Sequence, residues 1–243
     1  MKKIEGRNPV MEALKSERRI DEILIYQNAE GVNELLKKAK AEGIKLKRVA
    51  KEKLDNLADS YSHQGVIAFG EPIKYLSLDQ LIDKAYNKTD DPLFILLDEI
   101  KDPHNFGSIL RTADAVGAQG VIIPKRRSVG LTSAVGKASA GAIEHIPVAQ
   151  VTNLVRAMEE LKENRFWIAG ADMEAEGFCY QQDLTGPLGI VIGSEGAGMR
   201  RLVKERCDFL IKLPMKGRIN SLNAAVAGAV LMYEALRQRN YSD

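Results

Sequence analysis

The chain has 243 residues, with 35 Lys and Arg against 33 Asp and Glu for a net charge of +2, and 45% of its residues are hydrophobic. A chain of this length forms one large or two small domains, and its apolar fraction suffices to bury a core, which argues against wholesale disorder. No apolar stretch approaches the roughly 18–20 residues of a membrane span, and charge instead of an apolar signal core follows the first residues, so a cytoplasmic protein is expected.

Two cysteines and three histidines limit the possible chemistry further. Cys179 and Cys207 stand alone, without a CxxC pair, and three histidines are too few to complete a zinc set. We therefore expect reduced cysteines, no disulfide framework and no metal.

The charge is balanced over the whole chain but uneven locally. A net charge of +2 predicts no strong overall attraction to nucleic acid, because proteins that bind polyanions usually show a clear basic excess. Residues 37–53, however, hold eight basic side chains against Glu42 and Glu52. Two interpretations of this basic run are open: a solvated helix face with its turn, and a phosphate-binding surface.

The region before residue 91 contains five of the 20 glycines and alternates strand and helix patterns. Apolar runs predict strands and helical periodicity predicts helices. In chain order they are a strand at 20–26, a helix at 32–41, a strand at 46–50, a helix near Leu54 and a strand at 66–69. They predict a small α/β unit over residues 1–71. A short helix near 78–85 and a polar turn cluster at 87–92 follow, and we assign residues 72–91 to a linker.

The region after residue 91 contains the other 15 glycines and has longer apolar runs. Continuous apolar runs suit strands that are buried on both faces of a parallel sheet; they lie at 93–97, 121–123, 167–169, 189–192 and 209–213. Helical patterns separate them, at 109–116, 154–161 and 222–236. Residues 92–243 are therefore predicted to form an α/β domain with a mostly parallel sheet covered by helices.

The glycines of this second region do not form a nucleotide-binding fingerprint. Residues 130–137 place five residues between their glycines where a P-loop has four, and Ala138 stands where Ser or Thr would bind magnesium. Residues 193–198 fit neither GxGxxG nor the GxSxG elbow of hydrolases, because Ile192 occupies the first required glycine. A simple dinucleotide enzyme or a serine hydrolase therefore loses support.

Three segments that follow apolar strands combine small residues with uncharged polar groups or one isolated charge: 97–113, 190–199 and 213–225. In the first, Asn105 is a candidate cap for a helix that carries Arg111. These two residues are six apart, so they point in different directions unless Asn105 lies in the preceding loop. In the second, glycines surround Glu195 and permit close approach of the backbone to a ligand. In the third, Ser221 or Asn223 opens the final helix.

Together these segments resemble the three ordered motifs of the SPOUT superfamily, specifically its SpoU branch of RNA ribose 2′-O-methyltransferases. The matching stretches are 102–113, 193–196, and 213–215 with 221–225. The N-terminal portion, at 6–14 and 62–66, is similar to the small RNA-binding domain of the bacterial members that methylate guanosine in large-subunit (23S) ribosomal RNA. The resemblance covers nearly the whole chain.

The resemblance implies a fold, a cofactor and a reaction. It implies a deep trefoil knot in the C-terminal domain and S-adenosylmethionine as the methyl donor. It also implies transfer of the methyl group to the ribose 2′-hydroxyl of a guanosine in large-subunit ribosomal RNA. It also implies a homodimer through the C-terminal domain. The apolar stripe of the last helix, with Leu222, Val226 and Tyr233 among its members, suits that interface and an internal core equally well.

The family pattern also implies a role for individual residues. The catalytic set is Asn105, Arg111, Glu195, Ser221 and Asn223, and the cofactor pocket is Gly193, Ile211, Leu213 and Leu222. The expected RNA contacts are Arg7, Gln64, Lys125, Arg126, Arg127 and Lys216. Because a guanidinium is effectively always protonated, we expect Arg111 to bind phosphate or to steady the developing alkoxide rather than to act as a base.

Two alternatives are open. The first keeps the chemistry and changes the substrate to transfer RNA or to another ribosomal nucleotide. The second is a non-catalytic RNA-binding protein of ribosome assembly that keeps the fold. The presence of Asn105, Arg111, Glu195 and Asn223 argues against it.

Overall fold

A computed structural model describes residues 3–16, 18–59, 63–218 and 221–241. Ser62 of the N-terminal matching stretch, and Ile219 and Asn220 of the third segment, lie outside the described residues. The chain divides into two compact units. The first comprises Met1–Lys74 with Gly130–His145, and the second comprises Tyr75–Val129 with Ile146–Asp243.

The first unit is built on a four-stranded sheet, counted within the described residues. Its elements are β1 (Lys3–Glu5), α1 (Arg7–Lys15), β2 (Ile20–Tyr26), α2 (Asn33–Ala41), β3 (Lys45–Val49), α3 (Lys51–Leu57), β4 (Val66–Gly70) and α6 (Ser133–Ala138). The strand order is β1-β4-β2-β3, with β4 antiparallel to both neighbours and β2 parallel to β3. All five elements predicted before residue 71 are confirmed, whereas β1 and α1 were not predicted. A three-residue strand shows little alternation, and α1 has no side-chain cap that would mark its start.

Both faces of this sheet are covered, as the alternation along β2 shows. Ile23 and Ile25 point into the core shared with α1 and α2, and Leu24 points to the opposite face, where it packs with Leu54 and Ile67. The described residues of the first unit therefore form an α/β layer structure with an apolar cluster on each face of its sheet.

Residues 130–145 belong to the first unit through specific polar contacts. Arg18 and Glu144 form an ion pair of 2.6 Å, with both side chains almost fully buried. The His145 imidazole lies 2.8 Å from the Glu12 carboxylate. The sequence division placed this segment in the domain of residues 92–243. These two contacts join residues more than a hundred positions apart, which local patterning does not encode.

The second unit is built on a seven-stranded sheet, again counted within the described residues. Its elements are α4 (Leu78–Tyr86), β5 (Leu93–Leu97), α5 (Pro103–Ala115), β6 (Gly120–Pro124), β7 (Val148–Val151), α7 (Leu154–Glu163), β8 (Trp167–Ala171), β9 (Gly177–Phe178), β10 (Leu188–Ile192), α8 (Arg201–Lys204), β11 (Phe209–Lys212) and α9 (Ala224–Asn240). The strand order is β7-β6-β5-β10-β8-β11-β9, and every pairing is parallel. This confirms the predicted mostly parallel, helix-covered sheet.

The helix α4 lies in the segment expected to be a linker. A capping box between Ser77 and Gln80 starts it. Its apolar face is buried in the core of the second unit, together with Phe94 and Phe166, whose rings stack at 4.9 Å. Residues 78–86 are therefore an integral layer of this unit.

The last helix, α9, turns its predicted apolar stripe outward. Leu222, Val226 and Tyr233 of this stripe are 39–53% exposed, so the alternative that it is internal core is wrong. Val230, which lies beside them, is 45% exposed. The buried face instead consists mostly of small residues, namely Ala224, Ala225, Gly228, Leu231, Met232 and Ala235. At Gly228 the helix packs closely on the sheet, because a Cβ there would lie 2.5 Å from the Cδ1 atom of Ile192 in β10. None of the described helices is long and apolar enough to cross a membrane.

The sheet order brings the three sequence segments together. β10 lies beside β5, and β11 follows on the far side of β8. Because all these strands are parallel, their carboxyl ends share one edge, and ligand sites of open α/β sheets form at that edge where the strand order reverses. The segments after β5, β10 and β11 are the three that carry the sequence motifs.

Candidate active site

Asn105 lies inside the first turn of α5 rather than before it. Asp102 caps the helix, since its carboxylate accepts a hydrogen bond of 2.9 Å from the Asn105 backbone N–H, and Pro103 takes the first helical position. The prediction that Asn105 is the cap is therefore wrong. With both residues helical, Arg111 lies about 9 Å further along the axis and about 120° around it.

Glu195 is carried by a tight glycine-containing loop after β10. The loop closes on itself, because Ser194 and Gly198 exchange two backbone hydrogen bonds of 3.1 and 2.9 Å. Gly198 has a positive φ of 67°, which favours glycine. Gly193 is required for a different reason: a Cβ there would collide with the backbone of Gly198 and Met199.

Asn223, and not Ser221, opens the last helix. Its side-chain oxygen accepts hydrogen bonds from the backbone N–H groups of Ala225 and Val226, at 3.0 and 3.2 Å. Its amide nitrogen remains available to other partners, and it donates to the Asn105 side-chain oxygen at 2.8 Å and to the Glu195 carboxylate. One residue therefore caps α9 and links the three segments.

Three of the five predicted catalytic side chains form one hydrogen-bonded network. The Glu195 Oε1 atom accepts from the amide nitrogens of Asn105, at 3.2 Å, and Asn223, and from the Ala224 backbone N–H at 3.3 Å. Within the described residues, Oε2 of Glu195 accepts no hydrogen bond. The arrangement holds a carboxylate by neutral donors and leaves one oxygen to contact a ligand.

Arg111 is not part of this network. It lies exposed on α5, and its guanidinium has no hydrogen bond or ion pair with any described residue. Ser221 is exposed and lines a neighbouring cavity.

A cavity of about 400 Å³ lies at the carboxyl edge of the sheet. All four predicted cofactor residues line it, namely Gly193, Ile211, Leu213 and Leu222, as do Glu195 and Ser221. Its size lies within the range of small-molecule pockets, and its mixture of aliphatic side chains and backbone groups is usual for them.

The sequence prediction did not include the acidic wall of this cavity. Asp172 and Glu174 follow β8, and their carboxylates lie 2.8 and 3.2 Å from the Lys204 ammonium group. These carboxylates raise the pKa of Lys204. Polar residues directly after an apolar strand were the available signal, but nothing in the sequence showed that β8 lies between β10 and β11.

The predicted RNA contacts are distributed over both units. In the first unit, the Arg7 backbone N–H donates to the Gln64 side-chain oxygen at 3.1 Å, so the structure brings these two residues together. The Arg7 guanidinium also donates to the Glu30 carbonyl at 3.0 Å. In the second unit, the remaining candidates are exposed in the loops after β6 and β11, namely Lys125, Arg126, Arg127 and Lys216.

The basic run at 37–53 is partly neutralised. Lys47 lies 2.6 Å from the Glu22 carboxylate, and Lys38 lies 3.2 Å from Glu42. These contacts are what a solvated, ion-paired surface shows, and they reduce the charge that this run presents to a phosphate.

The cysteines are not activated nucleophiles. Burial raises the pKa of Cys179, and it raises the pKa of Cys207 to about 12. Both thiols therefore stay protonated near neutral pH. Among the described residues there is no cluster of three or more His, Cys, Asp or Glu side chains that could hold a metal ion.

Comparison with known proteins adds family information to this geometry. The model of the "SpoU rRNA Methylase family" matches residues 92–233, and the model "RNA 2'-O ribose methyltransferase substrate binding" matches residues 3–76. A Bacillus subtilis protein assigned to the TrmH family of tRNA/rRNA methyltransferases is 52% identical over 237 residues, which is 97% of this chain and 95% of that protein. A Staphylococcus saprophyticus protein of the same assignment is 52% identical over 98% of this chain and 96% of its own length.

A solved structure is similar along nearly the whole chain. The SpoU methyltransferase AviRb from Streptomyces viridochromogenes, in complex with the cofactor AdoMet, superposes with a TM-score of 0.84 at 26% identity. The match covers 99% of this chain and 91% of AviRb.

Proposed function

The chain belongs to the SpoU rRNA methylase family of RNA methyltransferases, and from this premise we propose that it methylates the ribose 2′-hydroxyl of a guanosine in large-subunit ribosomal RNA. S-adenosylmethionine is the proposed methyl donor. The observation that carries the proposal is the network of Asn105, Glu195 and Asn223 beside the cavity that contains all four predicted cofactor residues. As bacterial ribosomal RNA is cytoplasmic, the proposal places the enzyme in the cytoplasm.

The residues of the cavity fit this cofactor. Gly193 lines the cavity without a side chain, so it offers only backbone groups to a ligand there. Ile211, Leu213 and Leu222 offer aliphatic surface to an adenine ring. When bound, S-adenosylmethionine supplies the methyl group and the sulfonium charge that makes it transferable. We also propose that the loops after β10 and β11 form the trefoil knot implied by the family resemblance.

The protein's own residues then position the hydroxyl and manage its proton. The Glu195 Oε2 atom is the proposed acceptor for the ribose hydroxyl proton, while Asn105 and Asn223 hold Oε1. The neutral amides orient the carboxylate without adding positive charge next to the cofactor. Ser221 orients the ribose at the cavity wall. Positioning of this kind supplies a large part of the rate enhancement in group transfer.

Arg111 is proposed to bind a phosphate of the RNA or to steady the developing alkoxide. A guanidinium suits both tasks because it stays charged and donates several hydrogen bonds in a fixed plane. Its guanidinium is exposed and has no hydrogen bond or ion pair with a described residue, which leaves its donors to the substrate.

The RNA is proposed to contact each unit separately. Arg7 and Gln64 form the contact in the first unit, and Lys125, Arg126, Arg127 and Lys216 form it in the second. The net charge of +2 limits how many phosphates the protein neutralises, so we expect a modest dependence of affinity on salt.

The exposed stripe of α9 is the proposed homodimer interface. Val226, Val230 and Tyr233 recur on one face and leave more apolar surface in water than a core-packed helix would. Light scattering on the full chain tests this, because a monomer at micromolar concentration contradicts it.

Transfer of tritium from labelled S-adenosylmethionine tests the activity. The full chain is incubated with transcribed 23S ribosomal RNA and, separately, with transfer RNA. Label in the ribosomal RNA supports the proposal, and the site of 2′-O-methylation is mapped by comparing RNA from cells with and without the gene. Label in transfer RNA alone supports the alternative substrate, and no label in either favours the non-catalytic alternative.

A further inference from the structure

The loop that carries Glu195 is held at both of its ends by one residue, Asp98. Asp98 directly follows β5, and its side chain is completely buried. At the start of the loop, the Asp98 backbone N–H donates to the carbonyl of Ile192 at 2.9 Å. At the end of the loop, the Asp98 carboxylate accepts from the Arg200 backbone N–H at 2.8 Å.

The Arg200 side chain strengthens the second anchor. Its Nε and Nη2 atoms lie 2.8 and 2.6 Å from Asp98 Oδ1, so backbone and side chain together give this carboxylate three charged or polar donors. Hydrogen bonds with Asp98 raise the pKa of Arg200. Glu99 adds a second carboxylate, 3.7 Å from Arg200 Nε, and it also holds Arg127 at 3.2 Å.

The contact between Asp98 and Arg200 restricts the loop geometry more than it adds to the free energy of unfolding. Burying a carboxylate is costly, and even a well-paired buried ion pair contributes little net stability compared with apolar packing. By contrast, a loop that contains Gly193, Gly196 and Gly198 loses much conformational entropy when it is ordered. Its residue Glu195 is exposed, so burial does not fix the position of that carboxylate. Fixing the two ends of such a loop restricts where Glu195 can lie.

We propose that Asp98, through Arg200, is a positioning residue that holds the Gly193–Met199 loop and thereby sets the place of the Glu195 carboxylate. The inference rests on the proposed function for its effect on turnover. The anchoring itself is independent of the reaction, so the two can fail separately.

Asp98→Asn is the principal test, with Asp208→Asn as the matched control. The Asp98 substitution keeps the shape but places an NH₂ group against donors of Arg200. Asp208 makes the same kinds of contact elsewhere in the sheet: its carboxylate accepts from the Ile168 backbone N–H at 2.8 Å and pairs with Lys162 at 2.7 Å. Asp208 precedes β11, so it lies at the opposite, amino end of the strands.

Three measurements are compared between the two variants: amide hydrogen exchange of residues 193–200, kcat and KM for methyl transfer, and the melting temperature. We expect Asp98→Asn to speed exchange in the loop and to lower kcat at least tenfold, with little change in KM for RNA. Asp208→Asn should leave loop exchange unchanged and kcat within about twofold. Equal losses of kcat in both variants, or unchanged loop exchange in Asp98→Asn, would overturn the proposal.

Arg200→Ala keeps the proposal testable if Asp98→Asn does not fold. It removes the guanidinium but keeps the backbone N–H bond to Asp98, so we expect a smaller increase in loop exchange and about a threefold to tenfold loss of kcat. The double variant should be no worse than Asp98→Asn, because the two residues act as one unit. An additive double variant contradicts this. If the wild type methylates no RNA, the proposed function fails, and the exchange comparison alone decides whether the anchor exists.

Discussion

The two ends of the seven-stranded parallel sheet use polar side chains in different ways. At the carboxyl end, Asn105, Glu195 and Asn223 bond to one another across three separate segments. At the amino end, Arg239 and Gln119 bond to backbone groups instead. The Arg239 guanidinium donates to the carbonyls of Asp91, Leu184 and Gly186, and the carboxamide oxygen of Gln119 accepts from the Leu93 N–H.

This difference separates residues that stabilise the fold from residues that can contact a substrate. A side chain that bonds to backbone groups satisfies their hydrogen-bonding needs and ties chain segments together, as Arg239 does for three carbonyls. Side chains that bond to one another keep unused donors and acceptors, such as Oε2 of Glu195, which can contact a ligand. Substitutions at the carboxyl end should therefore change turnover, and those at the amino end should change the free energy of unfolding.

Arg111→Ala should have the largest effect on turnover, although Arg111 lies outside the hydrogen-bonded network at the carboxyl end. We expect methyl transfer to fall roughly 10²–10³-fold, as when one charge-stabilising donor is removed from an active site. The melting temperature should not change, since the side chain is exposed and has no partner among the described residues. Turnover close to wild type would contradict the assigned role. Arg111→Lys distinguishes the mechanism: a base would recover activity at raised pH, whereas a planar clamp fails at every pH.

Arg239→Ala tests the amino end. The guanidinium ties the end of α9 to two loops, and burial lowers its pKa. Losing three hydrogen bonds from one charged group should cost about 2 kcal/mol of unfolding free energy, measured by urea denaturation. The kcat of the folded fraction should be unchanged. Arg237→Ala is the control, because Arg237 is exposed on the same helix and pairs only with Glu234 among the described residues, so stability should barely change. A fall in kcat for the fully folded Arg239→Ala variant would contradict the separation between the two ends of the sheet.

Asn223→Ala and Asn153→Ala form a matched pair of helix caps. Asn153 caps α7 with hydrogen bonds to Val155 and Arg156, as Asn223 caps α9. Each substitution should cost about 1 kcal/mol of stability. Only Asn223→Ala should also lower methyl transfer, roughly tenfold to a hundredfold, because it releases Glu195 and Asn105. Equal activities in the two variants would show that the network is structural.

The smallest effect concerns Cys207, beside the start of β11. Its pKa is about 12 in the folded protein because of burial, against about 8.5 for an unfolded thiol. A folded-state pKa that is raised contributes stability fully below pH 8.5, and this contribution is lost as the pH rises toward 12. Unfolding free energies of wild type and Cys207→Ala, compared between pH 8 and pH 9, should converge by about 0.7 kcal/mol. Parallel curves would contradict the raised pKa.

The sequence by itself determined the elements and the family. Continuous apolar runs such as 93–97 predict buried parallel strands because a strand covered on both faces has no polar side. The order and spacing of the three motifs indicate the SpoU family, and the residues matched to the cofactor pocket do line one cavity. Each strand run and each motif consists of a few consecutive residues, so it can be recognised without knowledge of the tertiary structure.

The tertiary structure alone decided which distant residues meet. Asp98 and Arg200 are 102 positions apart, and no pattern within either segment shows that β5 and β10 are neighbours. The same reason explains why residues 130–145 join the first unit, and why the small-residue face of α9 is the buried one. Helix and strand periods report which residues share a face, but strand order and close backbone approach decide which face is covered.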